Sequence, residues 1–430
     1  MPRSGPSWHH RVHAIDRGSW PIGCDPGAPD RWKSSTEPVT VTSRCSVRVS
    51  IAGRAAMWVT RRPGWPFNPR SLVLSAISWW SPSLHSMDVA ILGATGSCGR
   101  QVAAQLIERS VLPETVTVHL IGHAGGHESE LWGLRADLRD AFADRAPEIE
   151  IGTDVATTGA DVVIMMAGAT ITRDTKDRAA LASTNDRIFA ESAQAVGRMP
   201  DPVTVIVQSN PVESAVAAFA QVLPRERIIG AAAWSDSLRF RRELAADLGL
   251  RRPMVNAQMW GQHGDYLVPI WSRIHARGIS EQHLADVIGS IREGRTLADL
   301  PEEIRSARSE ALRSINNDDV AGAFDFIQQQ PADVRAAVKP FFTHFTAGRT
   351  TELATAHAVV DVVEFLATGQ QVAIPAQVML EGEMRGLTGP IAVPVLIDPM
   401  GWSMVIDEAI ASDERDALEK ADAAIAATRS

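Results

Sequence analysis

The chain has 430 residues, 45% hydrophobic and 22% charged, enough for two cores of ordinary domain size. Its formal charge is −9 and no long basic run occurs, so a nucleic-acid platform is not expected. No apolar stretch approaches the roughly 18–20 residues that cross a bilayer. The three cysteines (Cys24, Cys45, Cys98) are too few for a disulfide framework or a Cys-rich metal site. The expectation is therefore a cytoplasmic protein with no metal, membrane or nucleic-acid partner.

Composition breaks near residue 86. Residues 1–86 hold 7 of the 12 Trp and 10 of the 25 Pro and balance at +7, leaving −16 for the rest. Pro, Gly and Ser interrupt this segment too often for a helix, and no alternating stretch is long enough to suggest a sheet. A transit peptide and a regulatory arm using Cys24 and Cys45 are two readings. The favoured one is a low-order extension, upstream sequence read from too early a start, with Met87 beginning the protein proper.

From Met87 short apolar runs alternate with amphipathic stretches. Strands are predicted over 88–92, 116–121, 161–166 and 203–208, with helices over 99–110, 130–143 and 182–197 between them. Such alternation implies βαβ units around a parallel sheet. Beyond about 231 the pattern is more helical, over 238–249, 284–294, 301–315, 354–369 and 413–429. The expected fold is α/β: a Rossmann-type domain over 87–230 followed by an α+β substrate domain over 231–430.

The first strand runs into Gly93-Ala-Thr-Gly96-Ser97-Cys98-Gly99, which opens a helix. Glycines there permit a tight turn and close approach of backbone to a pyrophosphate, facing the positive end of the helix dipole. This placement reads as a dinucleotide loop. The acid that usually bonds the ribose 2′-hydroxyl at the end of the second strand is replaced by Gly122, followed by His123. With no carboxylate expected there and with His123 and His127 nearby, NADP is expected to be tolerated beside NAD; a solvated surface turn is the plainer alternative. Cys98 reads as a small residue packed under the loop.

Further along stand Arg173-Asp-Thr-Lys-Asp-Arg178, Asn185, Gln208-Ser-Asn210-Pro211, Asp236-Ser-Leu-Arg239 and His263-Gly-Asp265. With the Ala167-Gly168 turn, Thr351 and the Leu380-Glu-Gly382…Pro394 stretch, these residues resemble, in order and from about Met87 to the C-terminus, the malate/lactate dehydrogenase family. The Leu-Ile-Gly end of the second strand and GLRADLRDA are similar to the malate branch whose members accept NADP.

The resemblance implies hydride transfer between NAD or NADP and a 2-hydroxy acid by a homodimer or homotetramer. His263 is then the base, because an imidazole titrates near neutrality, and Asp236 its orienting partner. Arg239 clamps the substrate 1-carboxylate, Arg178 polarises the carbonyl, and Asn210 bonds the substrate oxygen, with Thr351 beside it. Gly93, Gly96, Ser97, Cys98, Gly99, Gly122, His123, Ala167, Gly168, Asn185, Gln208 and Asn210 line the cofactor. In the family an Arg before the polarising one reads the second carboxylate of malate. Thr172 stands at that position with Arg173 next to it, in a loop one residue longer than usual. Arg173 in that role favours malate/oxaloacetate; lactate or another 2-hydroxy acid, or a catalytically idle dinucleotide-binding protein, are the alternatives. The 88 residues from His263 to Thr351 exceed the family pattern, with the excess in 280–345.

Overall fold

The computed structural model describes residues 46–51, 54–60, 86–123, 125–126, 128–169, 178–347 and 351–429. The chain divides into two compact units, Met1–Ser81 and Pro82–Ser430. In the first, β1 (Ser46–Ile51) pairs antiparallel with β2 (Arg54–Thr60). This corrects the expectation that nothing there alternates long enough for a sheet: Val47, Val49 and Ile51 alternate with Ser46, Arg48 and Ser50, which is the period of a strand.

The second unit begins with β3 (Val89–Leu92), α1 (Ser97–Glu108), β4 (Thr117–Ile121), α2 (Glu128–Ala141), β5 (Glu148–Gly152) and β6 (Val162–Met165). It continues with α3 (Arg178–Val196), β7 (Thr204–Val207), α4 (Val212–Phe219) and β8 (Ile228–Gly230). These six strands pair in parallel in the order β5-β4-β3-β6-β7-β8. The order reverses between β3 and β6, and in such sheets the crevice at the carboxyl ends of the strands flanking that reversal receives the ligand. All residues of β3, β6, β7 and β8 are buried, as continuous aliphatic runs covered by helices on both faces require. Strand β5, with Glu148 and Glu150 at the sheet edge, has too few apolar residues to be read locally.

Next come α5 (Ala232–Asp247), β9 (Val255–Asn256), β10 (Met259–Gly261), β11 (Leu267–Pro269) and β12 (His275–Ala276). Four helices fill the long stretch: α6 (Glu281–Arg292), α7 (Leu300–Asn316), α8 (Val320–Gln328) and α9 (Ala332–Ala347). The chain ends with α10 (Glu352–Thr368), β13 (Val372–Glu381), β14 (Thr388–Asp398), β15 (Gly401–Val405) and α11 (Ser412–Arg429).

Strands β13, β14, β15, β10 and β11 form an antiparallel extension of the same sheet, joined through Gly230 opposite Gln377. A Cβ on Gly230 would lie 2.6 Å from the Gln377 Cβ, so only glycine admits this crossing. Buried Gln377 in turn accepts the Ala233 N–H at 3.1 Å, satisfying a free donor at the start of α5.

Helix α9 packs on α5, and α7 and α8 pack on α9. Phe240 and Leu244 of α5, with Leu248 just beyond it, share one buried cluster with Leu300, Ile304, Ala311, Ile327, Val334 and Val338. Among the described residues no helix is long and apolar enough to cross a membrane.

Candidate active site

Two elements carry the central side chains. Helix α5 is buried from Ala232 through Leu238 and brings Asp236 and half-buried Arg239 to one face at i and i+3. His263 lies in the tight turn between β10 and β11, where the Gln262 N–H donates to the Tyr266 carbonyl at 3.1 Å. Gly261 at φ +82° makes that turn possible, since a Cβ there would lie 2.6 Å from the Tyr266 oxygen.

The Nδ1 of His263 lies 2.6 Å from Oδ2 of Asp236. A carboxylate only accepts, so Nδ1 carries the proton and Nε2 is left to exchange one with a ligand. The other Asp236 oxygen accepts from Nη1 of Arg239 at 2.9 Å, and Nη2 of Arg239 donates to Thr351 Oγ1 at 3.0 Å. Each Nη retains a second proton, so the guanidinium can still grip a carboxylate. Asp236 is fully enclosed. Burial alone pushes its carboxyl up, but His263 and Arg239 hold it below the ordinary range. Burial likewise pulls His263 down, and the charge and hydrogen bond of Asp236, joined by Glu213, leave its imidazole above the ordinary histidine value.

The second cluster stands at the sheet reversal. Gly93 has φ +80°, and a Cβ on it would lie 2.8 Å from the Ala167 backbone. A Cβ on Gly99 would fall 2.4 Å from the Gly93 oxygen. Asn185, on α3, closes the turn after β6: its Oδ1 accepts from Ala169 N at 2.7 Å, and its Nδ2 donates to the carbonyls of Ala169 at 3.2 Å and Asn210 at 3.0 Å. Ser209 Oγ donates to the Ala167 carbonyl at 2.6 Å. Next to it the buried Oε1 of Gln208 has no donor.

Residues 87–230 match the family described as lactate/malate dehydrogenase, NAD binding domain. Malate dehydrogenase of Methanothermobacter thermautotrophicus is 26% identical over 341 residues, 78% of this chain and 94% of that protein. The L-lactate dehydrogenase A chain of Sceloporus woodi is 24% identical over 344 residues, 79% and 91% of the two chains. The crystal structure of Cryptosporidium parvum malate dehydrogenase shares the fold with TM-score 0.63 at 21% identity, covering 80% of this chain and 97% of that one. Over most of its length the chain is thus similar to malate and lactate dehydrogenases, and residues 87–230 match the NAD-binding domain of that family.

Over residues 87–230, which match the NAD-binding domain, the residues present fit the cofactor. The glycine turn is a cradle that any Cβ would fill, and the orphaned Gln208 acceptor awaits a donor. Ser97 opens α1, and Cys98 behind it is packed: burial pushes its thiol up to about 11, so it is not a reactive thiolate. Thr95, Gly122 and His123 line a cavity of about 280 Å³ with Glu128, Glu130 and Thr153. The strand end lacks a carboxylate, but the first turn of α2 supplies Glu128 and Glu130.

Arg173 lies outside the described residues. Arg178 was expected on a polar loop but is the first residue of α3, so that helix begins four residues before its predicted start; its side chain is outside the described set. Sequence reasoning missed Glu213, Gln377 and Thr355, whose hydroxyl bonds that of Thr351 at 3.2 Å. Glu213 carries one local signal, its position three residues after Asn210 in the first turn of a helix.

Proposed function

We propose that this protein oxidises malate to oxaloacetate, and runs the reverse reaction, with NAD as the preferred cofactor. The observation that carries the dehydrogenase reading is the linked set His263–Asp236–Arg239–Thr351, held by α5, the β10–β11 turn and the start of α10.

When bound, the cofactor accepts or returns a hydride at the substrate carbon. Arg239 holds the substrate 1-carboxylate and Asn210 bonds its reacting oxygen. His263 Nε2 takes the hydroxyl proton as the carbonyl forms and returns it in reduction, with Asp236 fixing the tautomer and balancing the imidazolium. Arg178 polarises the carbonyl and stabilises the charge on its oxygen. Gly93, Gly96, Ser97, Gly99, Ala167, Gly168, Asn185 and Gln208 hold the dinucleotide.

Two features support malate over lactate: Arg173 in the loop before Arg178, where a second guanidinium would meet a second carboxylate, and malate dehydrogenases among the relatives. NAD is preferred over NADP because Glu128 and Glu130 would repel a 2′-phosphate in the cavity beside Gly122. The test is a nicotinamide-absorbance assay with oxaloacetate, pyruvate and other 2-oxo acids against both reduced cofactors. Oxaloacetate with NADH is expected to give the highest kcat/KM, and Arg173→Gln to cost far more on oxaloacetate than on pyruvate. Equal losses on both acids would remove the malate reading, and higher kcat/KM with NADPH the cofactor reading.

A further inference from the structure

Beside this linked set lies a buried carboxylate that the mechanism does not use. Glu213 is 6% exposed and sits in the first turn of α4. Its Oε1 accepts the backbone N–H of His263 at 2.7 Å across 50 residues of sequence. Helix α4 follows directly from Asn210-Pro211. The first turn of one short helix therefore follows the residue assigned to the substrate oxygen and also grips the catalytic turn. A carboxylate at a helix N-terminus is favoured by free N–H groups and the helix dipole, but burying one without a positive partner is costly. The charges that act on Glu213 are those of the site: His263, and Asp236 from α5.

We propose that Glu213 is a positioning residue for His263: its buried carboxylate pins the backbone of the histidine turn and sets a second negative charge beside the imidazole, in addition to that of Asp236. The proposal rests on His263 being the acid/base.

The groups acting on His263 are Asp236 and Arg239 from α5 and Glu213 from α4. Asp236 raises the imidazole most, through its charge and its hydrogen bond; Glu213 adds to that, and Arg239 opposes both more weakly. Burial pushes the Glu213 carboxyl above the ordinary range and His263 pulls it back. The two groups are therefore coupled: a proton on the imidazole favours the Glu213 anion, and the anion favours that proton. In reduction the imidazolium must be present before the proton is given up, and Glu213 widens the pH range in which it is.

The experiment follows the imidazole directly, by NMR titration of histidine-labelled protein without substrate. His263→Asn assigns the signal. Glu213→Gln keeps an oxygen acceptor for the His263 N–H and removes the charge. Its His263 midpoint is expected to fall by roughly one pH unit, and the alkaline limb of kcat/KM for oxo-acid reduction to move down with it. Glu213→Asp, which keeps the charge, is expected to restore most of the midpoint. An unchanged midpoint in a folded Glu213→Gln protein overturns the proposal. If that variant does not fold, the carboxyl-carbon signal of Glu213 in the unmodified protein decides. A step at the His263 midpoint supports the coupling, and a flat signal there overturns it. Because the titration needs no turnover, a protein inactive on every 2-hydroxy acid would sink the functional reading, while the midpoints would still decide the role of Glu213.

Discussion

At the residue scale the site is governed by how few hydrogen-bonding options each side chain has. Asp236 has one oxygen on His263 and one on Arg239, so it cannot turn without breaking a charge-assisted bond. Asp236→Asn is therefore expected to lower kcat by a factor on the order of 10² or more, because the amide can present N–H to Nδ1 and select the wrong tautomer. The sign of the pH effect follows from the raised pKa of His263. The imidazolium persists above the ordinary value near ~6.5, so reduction should hold its rate past that pH and decline beyond it. In Asp236→Asn the decline should set in at lower pH, as a pH profile of kcat/KM would record. Arg239→Lys should chiefly raise KM, since an ammonium cannot bond Asp236, Thr351 and a substrate carboxylate in fixed planar geometry. Gly99→Ala would place a methyl 2.4 Å from the Gly93 oxygen. The turn must then open, and NADH binding followed by fluorescence should be lost while His263→Asn retains it.

At the element scale the group of helices α6 to α9 matters most to the site. They are bolted to the site at two points. Arg335 and Lys339 of α9 meet buried Glu243 of α5 at 2.9 and 2.7 Å, seven residues beyond Asp236 on the same helix. Arg308 of α7 bonds Asp265, two residues beyond His263. Burial raises the carboxyl of Glu243, but Lys339, Arg335 and Arg242 bring it below the ordinary Glu value. Its contribution to stability is thus present above the unfolded pKa near ~4.3 and is lost as pH falls through the lower folded value. Arg335→Met leaves that carboxylate with fewer partners and is expected to cost about 3 kcal/mol, measured by urea unfolding. Arg308→Met should act differently: the pair is part-exposed, so the loss in unfolding free energy should be below about 1 kcal/mol, with a larger fractional loss of kcat as the histidine turn loosens. Equal behaviour of the two variants would show that α7 does not steady the turn.

At the scale of the molecule, the contacts divide at Ser81–Pro82, and the match to relatives spans a length close to that of the second unit. Met87–Ser430 is accordingly expected to be soluble and to keep the unfolding midpoint and NADH affinity of the full chain. Insolubility of the shorter protein would contradict this. Within the second unit the parallel and antiparallel halves share one sheet through Gly230 and Gln377. The cofactor cradle and the histidine turn are therefore tied into one sheet through β8.

The parallel half was legible in the amino-acid sequence because its signals are local. Buried aliphatic runs such as Val-Ala-Ile-Leu and Val-Val-Ile-Met, set between amphipathic helices, specify period and length within a few residues. The glycine turn is legible for the same reason, and the motif residues His263, Asp236 and Arg239 are recognisable by type and order. Strands β13 to β15 were not read, since Gly, Pro and polar residues break their apolar pattern and their burial depends on partners far along the chain. Only the tertiary structure decided which groups meet. His263 reaches Asp236 across 27 residues and Glu213 across 50, and Arg239 reaches Thr351 across 112. It also decided that the carboxylates beside Gly122 come from α2 and not from the strand. A side chain's identity is written in one position, but its charge, tautomer and partner depend on what the fold places within about 3 Å of it, and no local pattern encodes that distance.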